Sequence, residues 1–406
     1  KIMYKKFFKY LFLFSLVFSF SCNNVDFSEK ANRIHQKVLT IDTHCDTPLR
    51  FLDENFDISK WNDNKENGTC VDFPRMKAGG LDASFFAVFI GQGARSDSGN
   101  TKAKERALKI FEGIHTALEE NPDIAELATS PRDAYNIKKE GKRAIFIGVE
   151  NGYPIGDNLS NIDEFYNLGA RYITLCHTKN NDICDSSTDE AEHKGLSEFG
   201  EEVVKKMNNM GMLIDVSHIS DSSFYEVIDL SKTPVFASHS CARAICNNPR
   251  NLNDDMLYKL KENNGVIQIC FLSEYVKTPA PSPKRDSAFV ALRKKYNGYN
   301  NLSEKERKDA HKEWYALRKK YPRKLAEVKD LVDHIDHVVN TIGIDYVGIG
   351  TDFDGGGGLK DCKDVSEMKN VTIELLKRGY SEKDIEKIWS GNFIRVFKEV
   401  REYAGL

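Results

Sequence analysis

Val38-Leu39-Thr40-Ile41-Asp42-Thr43-His44-Cys45-Asp46-Thr47-Pro48 is a run of β-branched and apolar residues that ends in His-x-Asp and is closed by a proline. Residues two apart on a strand share a face, so His44 and Asp46 project together where the strand leaves its sheet. One His-x-Asp decides little, because a solvated strand end explains it as well as a pair of metal ligands does. The construction recurs, however. After a polar tether and first helix (residues 23–37) come eight strand-like runs, at 38–42, 83–90, 144–149, 172–176, 212–216, 234–237, 265–271 and 346–350.

The intervening segments carry helix signals. Residues 197–210 set Phe199, Val203, Val204 and Met207 on one face and stop at Gly211; 253–263 stops near Gly265, and 331–341 at Gly343. Strands apolar on both faces, alternating with helices, predict a parallel sheet covered by helices. Eight such units predict an α/β fold of the (β/α)8 TIM-barrel type, one domain over 38–406. An open doubly wound sheet is the alternative, but no G-x-G-x-x-G follows the first run. Two stretches break the rhythm: 51–77, and a charged insertion at about 276–327 between strands seven and eight. In the latter, Ser303 and Glu306 form a capping box, and Ala310, Trp314, Leu317 and Tyr321 follow at helical spacing up to Pro322, so the insertion is read as helical. Leaving a strand's C-terminal end, it lies on the active-site face of a barrel, as a lid or as solvated decoration.

Lys plus Arg (58) nearly balance Asp plus Glu (61) in 406 residues, and no basic stripe interleaves with aromatics, which argues against nucleic acid and for a small-molecule ligand. Met3, Lys5, Lys6 and Lys9 precede an apolar stretch, 10–20, too short to span a bilayer. With Ser19-Phe20-Ser21-Cys22 next, residues 1–22 read as a lipoprotein-type signal peptide. The expectation is an exported bacterial lipoprotein, periplasmic or on the cell surface, anchored to the membrane through Cys22. The eight other cysteines form no metal-knuckle spacing; Cys45, Cys176, Cys241 and Cys270, in or beside strands, read as buried thiols, and pairing stays open.

Polar residues mark the strand ends. Glu150 follows the third run, His177 the fourth, His218 the fifth, His239 the sixth and Asp352 the eighth. A barrel gathers these ends at one mouth, where barrel enzymes do their chemistry. Four histidines and three carboxylates exceed the needs of one zinc. Imidazole and carboxylate suit zinc or another divalent first-row ion, and a carboxylate can bridge two ions about 3.5 to 4 Å apart, so a binuclear site is expected.

From about Val38 to the C-terminus, the motifs Ile41 to Pro48, Gly148-Val149-Glu150-Asn151-Gly152, Arg171 to His177, Leu213 to His218, Ser238-His239-Ser240 with Pro249-Arg250-Asn251, and Gly350 to Gly355 resemble, in order and spacing, the membrane (renal) dipeptidase family. These are zinc-dependent dipeptidases built on a metal-dependent hydrolase barrel. The resemblance implies two zinc ions per chain, one on His44 and Asp46, the other on His218 and His239, bridged by Glu150. It further implies that His177 meets the substrate carbonyl, that Arg250, with Tyr275 beside it, holds the C-terminal carboxylate of a dipeptide, and that Asp352 shuttles the proton. A homodimer and tolerance of a C-terminal D-residue are implied in the same way. Cys45 replaces the asparagine usual between the first two ligands and should point away from the metals; the 276–327 insertion is longer than in the animal enzymes. The alternatives are another metal-dependent amide or ester hydrolase on this barrel, and a lipid-anchored binding protein with a non-catalytic site.

Overall fold

The alternation read from the sequence becomes a closed parallel barrel. The computed structural model describes residues 26–53, 55–62, 69–299 and 302–406. The expected leader over residues 1–22, its Cys22, and residues 23–25 of the tether lie outside the described residues. The strands are β1 (Ile41–Cys45), β2 (Ala83–Phe89), β3 (Ala125–Leu127), β4 (Arg143–Glu150), β5 (Ala170–Thr174), β6 (Leu213–Asp215), β7 (Phe236–Ser240), β8 (Val266–Ile269) and β9 (Val347–Ile349). Eight of them pair in the order β1-β2-β4-β5-β6-β7-β8-β9. The barrel closes just past β9, where Asp352 N donates to His44 O (3.0 Å) and Asp46 N to Phe353 O (2.8 Å), around a parallel bridge from Cys45 to Phe353.

Strand bounds shift for local reasons. Ladder pairing on β1 starts only at Ile41 because Thr40 N and Oγ1 engage the Asp82 carboxylate (3.1 and 3.0 Å). In contrast, β7 runs on through Ser238-His239-Ser240, where the apolar signal has already stopped. The unanticipated β3 pairs with the first residues of β4 (Ala125 with Arg143, Leu127 with Ile145), on the edge that β5 takes over from Ile147.

Two apolar layers explain why the strands are apolar on both faces. Ile41, Phe85, Phe146, Tyr172, Leu213, Phe236 and Val266 fill the barrel, plugged by Phe393 and Phe397 of the C-terminal helix Asn392–Tyr403. Val88, Val149, Ile173, Ile214, Ile267 and Ile349 face the helices outside. Helix Glu198–Met210 is N-capped by Ser197 and stopped by Gly211 in the left-handed conformation, and helix Asp254–Glu262 is N-capped by Asn253. Between β8 and β9, helices Pro283–Lys295 and Glu304–Lys320 pack through Leu292, Tyr296 and Ala310, the second opened by the Ser303–Glu306 capping box. Just past that helix Arg323 pairs with Glu274 of the chain after β8, which places the end of the insertion on the mouth side. The eight cysteines among the described residues are free thiols.

Candidate metal centre

Space at the centre is set by a missing side chain. On β4 the inward positions Phe146, Gly148 and Glu150 climb toward the mouth, and a Cβ on Gly148 would collide with the Tyr172 ring. That gap lets Tyr172 cross the barrel so that its Oη lies 2.8 Å from His44 Nδ1. His44 and His239 both owe their direction to a register shift. With Ile41 and Phe236 inside the barrel, strict alternation would turn both histidines toward the outer helices. Pairing slips between Asp42 and Cys45 on β1, and between Ala237 and Ser240 on β7, which re-aims the imidazoles inward. Cys45 sits in the outer core, its Sγ 3.6 Å from Ser84 Oγ. His218 and Asp352 leave their strands at φ +73° and +58°, a left-handed geometry that non-glycine residues hold only when their surroundings enforce it.

These residues converge on Glu150. Its Oε2 lies 3.5 Å from His44 Nε2, and its Oε1 lies 3.1 Å from His218 Nε2, 3.5 Å from His239 Nε2 and 3.8 Å from His177 Nε2. Asp46 Oδ2 is 3.8 Å from His44 Nε2, and Asp352 joins His44 and Asp46 in a further cluster of ligand atoms within 4.8 Å of one another. A Cβ on Gly355 would run into both the Asp46 and Asp352 carboxylates. His177, edge-on to Phe89 at 4.7 Å, also falls within ligand reach, grouped with Glu150 and His218.

A second layer fixes the first. Asp215 accepts from Ser238 N (2.8 Å), Ser217 N (3.0 Å), Thr174 Oγ1 (2.5 Å) and Ser238 Oγ (2.6 Å), and Ser238 Oγ is 2.8 Å from His239 Nδ1. Asp42 accepts from Thr351 N and Oγ1 (2.8 and 2.7 Å), while burial pushes its pKa up to about 6. Asp354 accepts from Thr47 Oγ1 (2.6 Å) and Cys70 N (2.7 Å), tying the loops that carry Asp46 and Asp352. Arg250, also buried, donates from Nη1 to Ser240 Oγ (3.2 Å) and from Nη2 to His239 O (3.0 Å), with Tyr275 of helix Ser273–Val276 under its guanidinium at 5.1 Å. Its buried Nε has no hydrogen-bond partner among the described residues. Sequence reasoning passed over Tyr172 and the Ser238 hydroxyl; the signal available for Tyr172 was its position two residues before Thr174, on the inward face of one strand.

The electrostatics fit a cation. Burial and the Asp46 charge push Glu150 up to about 7, and burial with Asp46 and Glu150 raises Asp352 well above the carboxylate range. Burial lowers His218 and His239, helped by Arg250, so both imidazoles stay neutral, the form that ligates. Burial also pulls on His44, but Glu150 and Asp46 outweigh it and raise the ring above its ordinary value. Among the described residues His44 Nε2 and Asp46 Oδ1 are buried without a hydrogen-bond partner, and His218 Nε2 and His239 Nε2 stand 2.8 Å apart, both directed at Glu150. Divalent metal would satisfy these atoms together.

Neutral imidazoles crowded against carboxylates at the C-terminal mouth of a parallel barrel define a metal-dependent hydrolase of the barrel class. A family model described as membrane dipeptidase (peptidase family M19) matches residues 28–405. Dipeptidase tcpJ of Claviceps purpurea is 34% identical over 340 residues, 82% of this chain and 70% of that protein. Dipeptidase ataJ of Aspergillus terreus is 30% identical over 402 residues, 92% of this chain and 88% of its own. The crystal structure of the probable dipeptidase PvdM from Pseudomonas aeruginosa superposes with a TM-score of 0.81 at 30% identity, over 93% of this chain and 99% of that one. The chain belongs to the membrane dipeptidase family, and its enzyme class is metallo-dipeptidase.

Proposed function

We propose that the protein is a binuclear zinc dipeptidase that hydrolyses dipeptides bearing a free C-terminal carboxylate and accepts a D-residue at that end. Glu150 carries the reading: Oε2 faces His44, whereas Oε1 faces His218 and His239. A carboxylate so placed is suited to bridge two ions, with His44 and Asp46 on one side and His218 and His239 on the other. Zinc ions held there would supply Lewis acidity toward the scissile carbonyl and would acidify the attacking water.

The protein groups divide the remaining work. Asp352, whose carboxylate stands within ligand distance of His44 and Asp46, takes the proton and returns it to the leaving amine. His177, held neutral by burial and by Arg250 with a pKa of about 3, donates a hydrogen bond to the oxyanion. Arg250 pairs with the substrate carboxylate through the donors that Ser240 and His239 leave free, while Tyr275 supports its guanidinium. A carboxylate clamp this close to the ligands limits the substrate to two residues. Family membership supports the D-residue tolerance and a homodimer. The apolar leader and the Ser19-to-Cys22 stretch support export and a lipid anchor on Cys22; no helix among the described residues is long and apolar enough to cross a membrane.

The test is hydrolysis of L-Ala-L-Ala, Gly-D-Ala and a matching tripeptide by the chain from Asn23 onward, with chelator and with zinc added back. Zinc-dependent cleavage of both dipeptides but not the tripeptide is expected. Cleavage of none, with two metals bound, would move the protein to another amide or ester substrate.

A further inference from the structure

Beside the mouth, the insertion and the chain after β8 enclose a cavity of about 430 Å³, whose walls include Leu272, Glu274, Arg285, Arg318, Arg323 and Gly356. None of the residues given metal or substrate roles above lines it. Its acidic side chains are already engaged: Glu274 with Arg323, Glu327 with Lys329 and Lys360 (2.7 Å each), and Asp330 with Lys277 (2.6 Å).

The cationic side chains lining the cavity outnumber the acidic ones, six to three. Arg285 is only 8% exposed; one of its terminal nitrogens donates to Tyr321 O, its guanidinium lies over Phe289 at 4.4 Å, and its buried Nε has no hydrogen-bond partner among the described residues. Arg318 lies over Trp314 at 4.6 Å and, like Lys324, has no carboxylate partner among the described residues. Arg323, paired with Glu274 and 3.5 Å from Asp286, also buries an Nε that has no hydrogen-bond partner among the described residues. Burial, then the charges of Arg323 and Arg318, pull the pKa of Arg285 down against the opposing charges of Glu274 and Asp286, so the three guanidinium groups stand close to one another. Buried donors without a partner and an excess of positive charge around a void call for an acceptor of opposite sign, and guanidinium forks fit the oxygens of carboxylate and tetrahedral oxyanions.

We propose that this cavity binds a small dianion, a tetrahedral oxyanion or a dicarboxylate, held by Arg285 and Arg318 with Arg323 as a further donor. The site stands apart from the peptidase reading, and its test reads binding rather than turnover. Sulfate and succinate are titrated calorimetrically into the metal-loaded chain, as wild type and as Arg318→Gln, Arg285→Gln and Arg250→Gln. Saturable binding of at least one anion is expected, weakened about tenfold or more by Arg318→Gln and kept in Arg250→Gln. Sulfate alone would identify a tetrahedral ligand, succinate alone a dicarboxylate. Should Arg285→Gln fail to fold, Arg318→Gln decides, because that side chain is half-buried and lies over Trp314. Absence of saturable binding to wild type, an affinity unchanged in Arg318→Gln, or binding lost in Arg250→Gln would each overturn the proposal.

Discussion

Tyr172 acts on the centre through one hydroxyl. With Nε2 of His44 presenting its lone pair to the site, the ring proton sits on Nδ1 and is donated to Tyr172 Oη at 2.8 Å. Tyr172→Phe keeps the ring in the space that Gly148 leaves but strands that buried N–H, and loss of such an outer partner weakens metal binding about 10- to 100-fold. Competition with a chromophoric chelator would measure it, and unchanged zinc affinity would remove Tyr172 from the account. Arg250 gives a different signature. Its fork is half tied by Ser240 and His239, leaving Nε and the remaining N–H groups as directed donors that an ammonium cannot reproduce. Arg250→Lys should raise KM for a free dipeptide about 10- to 100-fold with a smaller effect on kcat, and leave a dipeptide amide unaffected. Equal losses on acid and amide would mean that Arg250 serves the fold rather than the substrate.

At the scale of elements, the helix Phe27–Lys37 docks through a buried histidine whose protonation the packing opposes. Gly80 O can only accept, so His35 Nδ1 (3.2 Å) is the donor and Nε2 receives the Thr372 hydroxyl at 2.7 Å; Trp389 Nε1 donates to the same oxygen at 2.8 Å. Burial, with smaller pushes from Lys369 and Lys138, lowers the His35 pKa to about 4. The unfolded chain therefore binds the extra proton first on acidification. The contribution is complete above about pH 6.5 and is lost as pH falls toward 4, by up to about 3 kcal/mol. Melts followed by Trp389 fluorescence should show a smaller acid loss over that window in His35→Gln than in wild type; parallel losses would assign the acid sensitivity elsewhere. The same scale sets what the sequence could reveal. Histidines and carboxylates ending apolar runs are visible in a linear reading, which is why His44, Glu150, His177, His218, His239 and Asp352 could be singled out. The slips on β1 and β7 depend on partner strands far away in the chain and leave no local mark. Ala125–Leu127 is too short to show a period, and the stacking of Tyr275 under Arg250 was reachable only through a family resemblance.

Across the whole molecule, the mouth joins parts of the chain that contact order keeps apart. Candidate ligands come from β1, β4, β7 and the turn after β6, and the seam where the barrel closes runs through His44, Asp46 and Asp352 themselves. Metal held there would therefore brace the seam as well as serve catalysis, and a group that binds only the folded state stabilises it by mass action, about 2.7 kcal/mol at a hundredfold excess over Kd. For a chain of this length that corresponds to a Tm change of about 3 °C. Chelation should lower Tm by at least this much, zinc should restore it, and Glu150→Gln should shrink the shift because the carboxylate that faces both histidine sets has lost its charge. A Tm indifferent to chelator while activity disappears would point the other way: the Asp215, Asp42 and Asp354 hydrogen-bond networks would then hold the ligands in place unaided. The metals would add chemistry to a mouth that the chain has already closed.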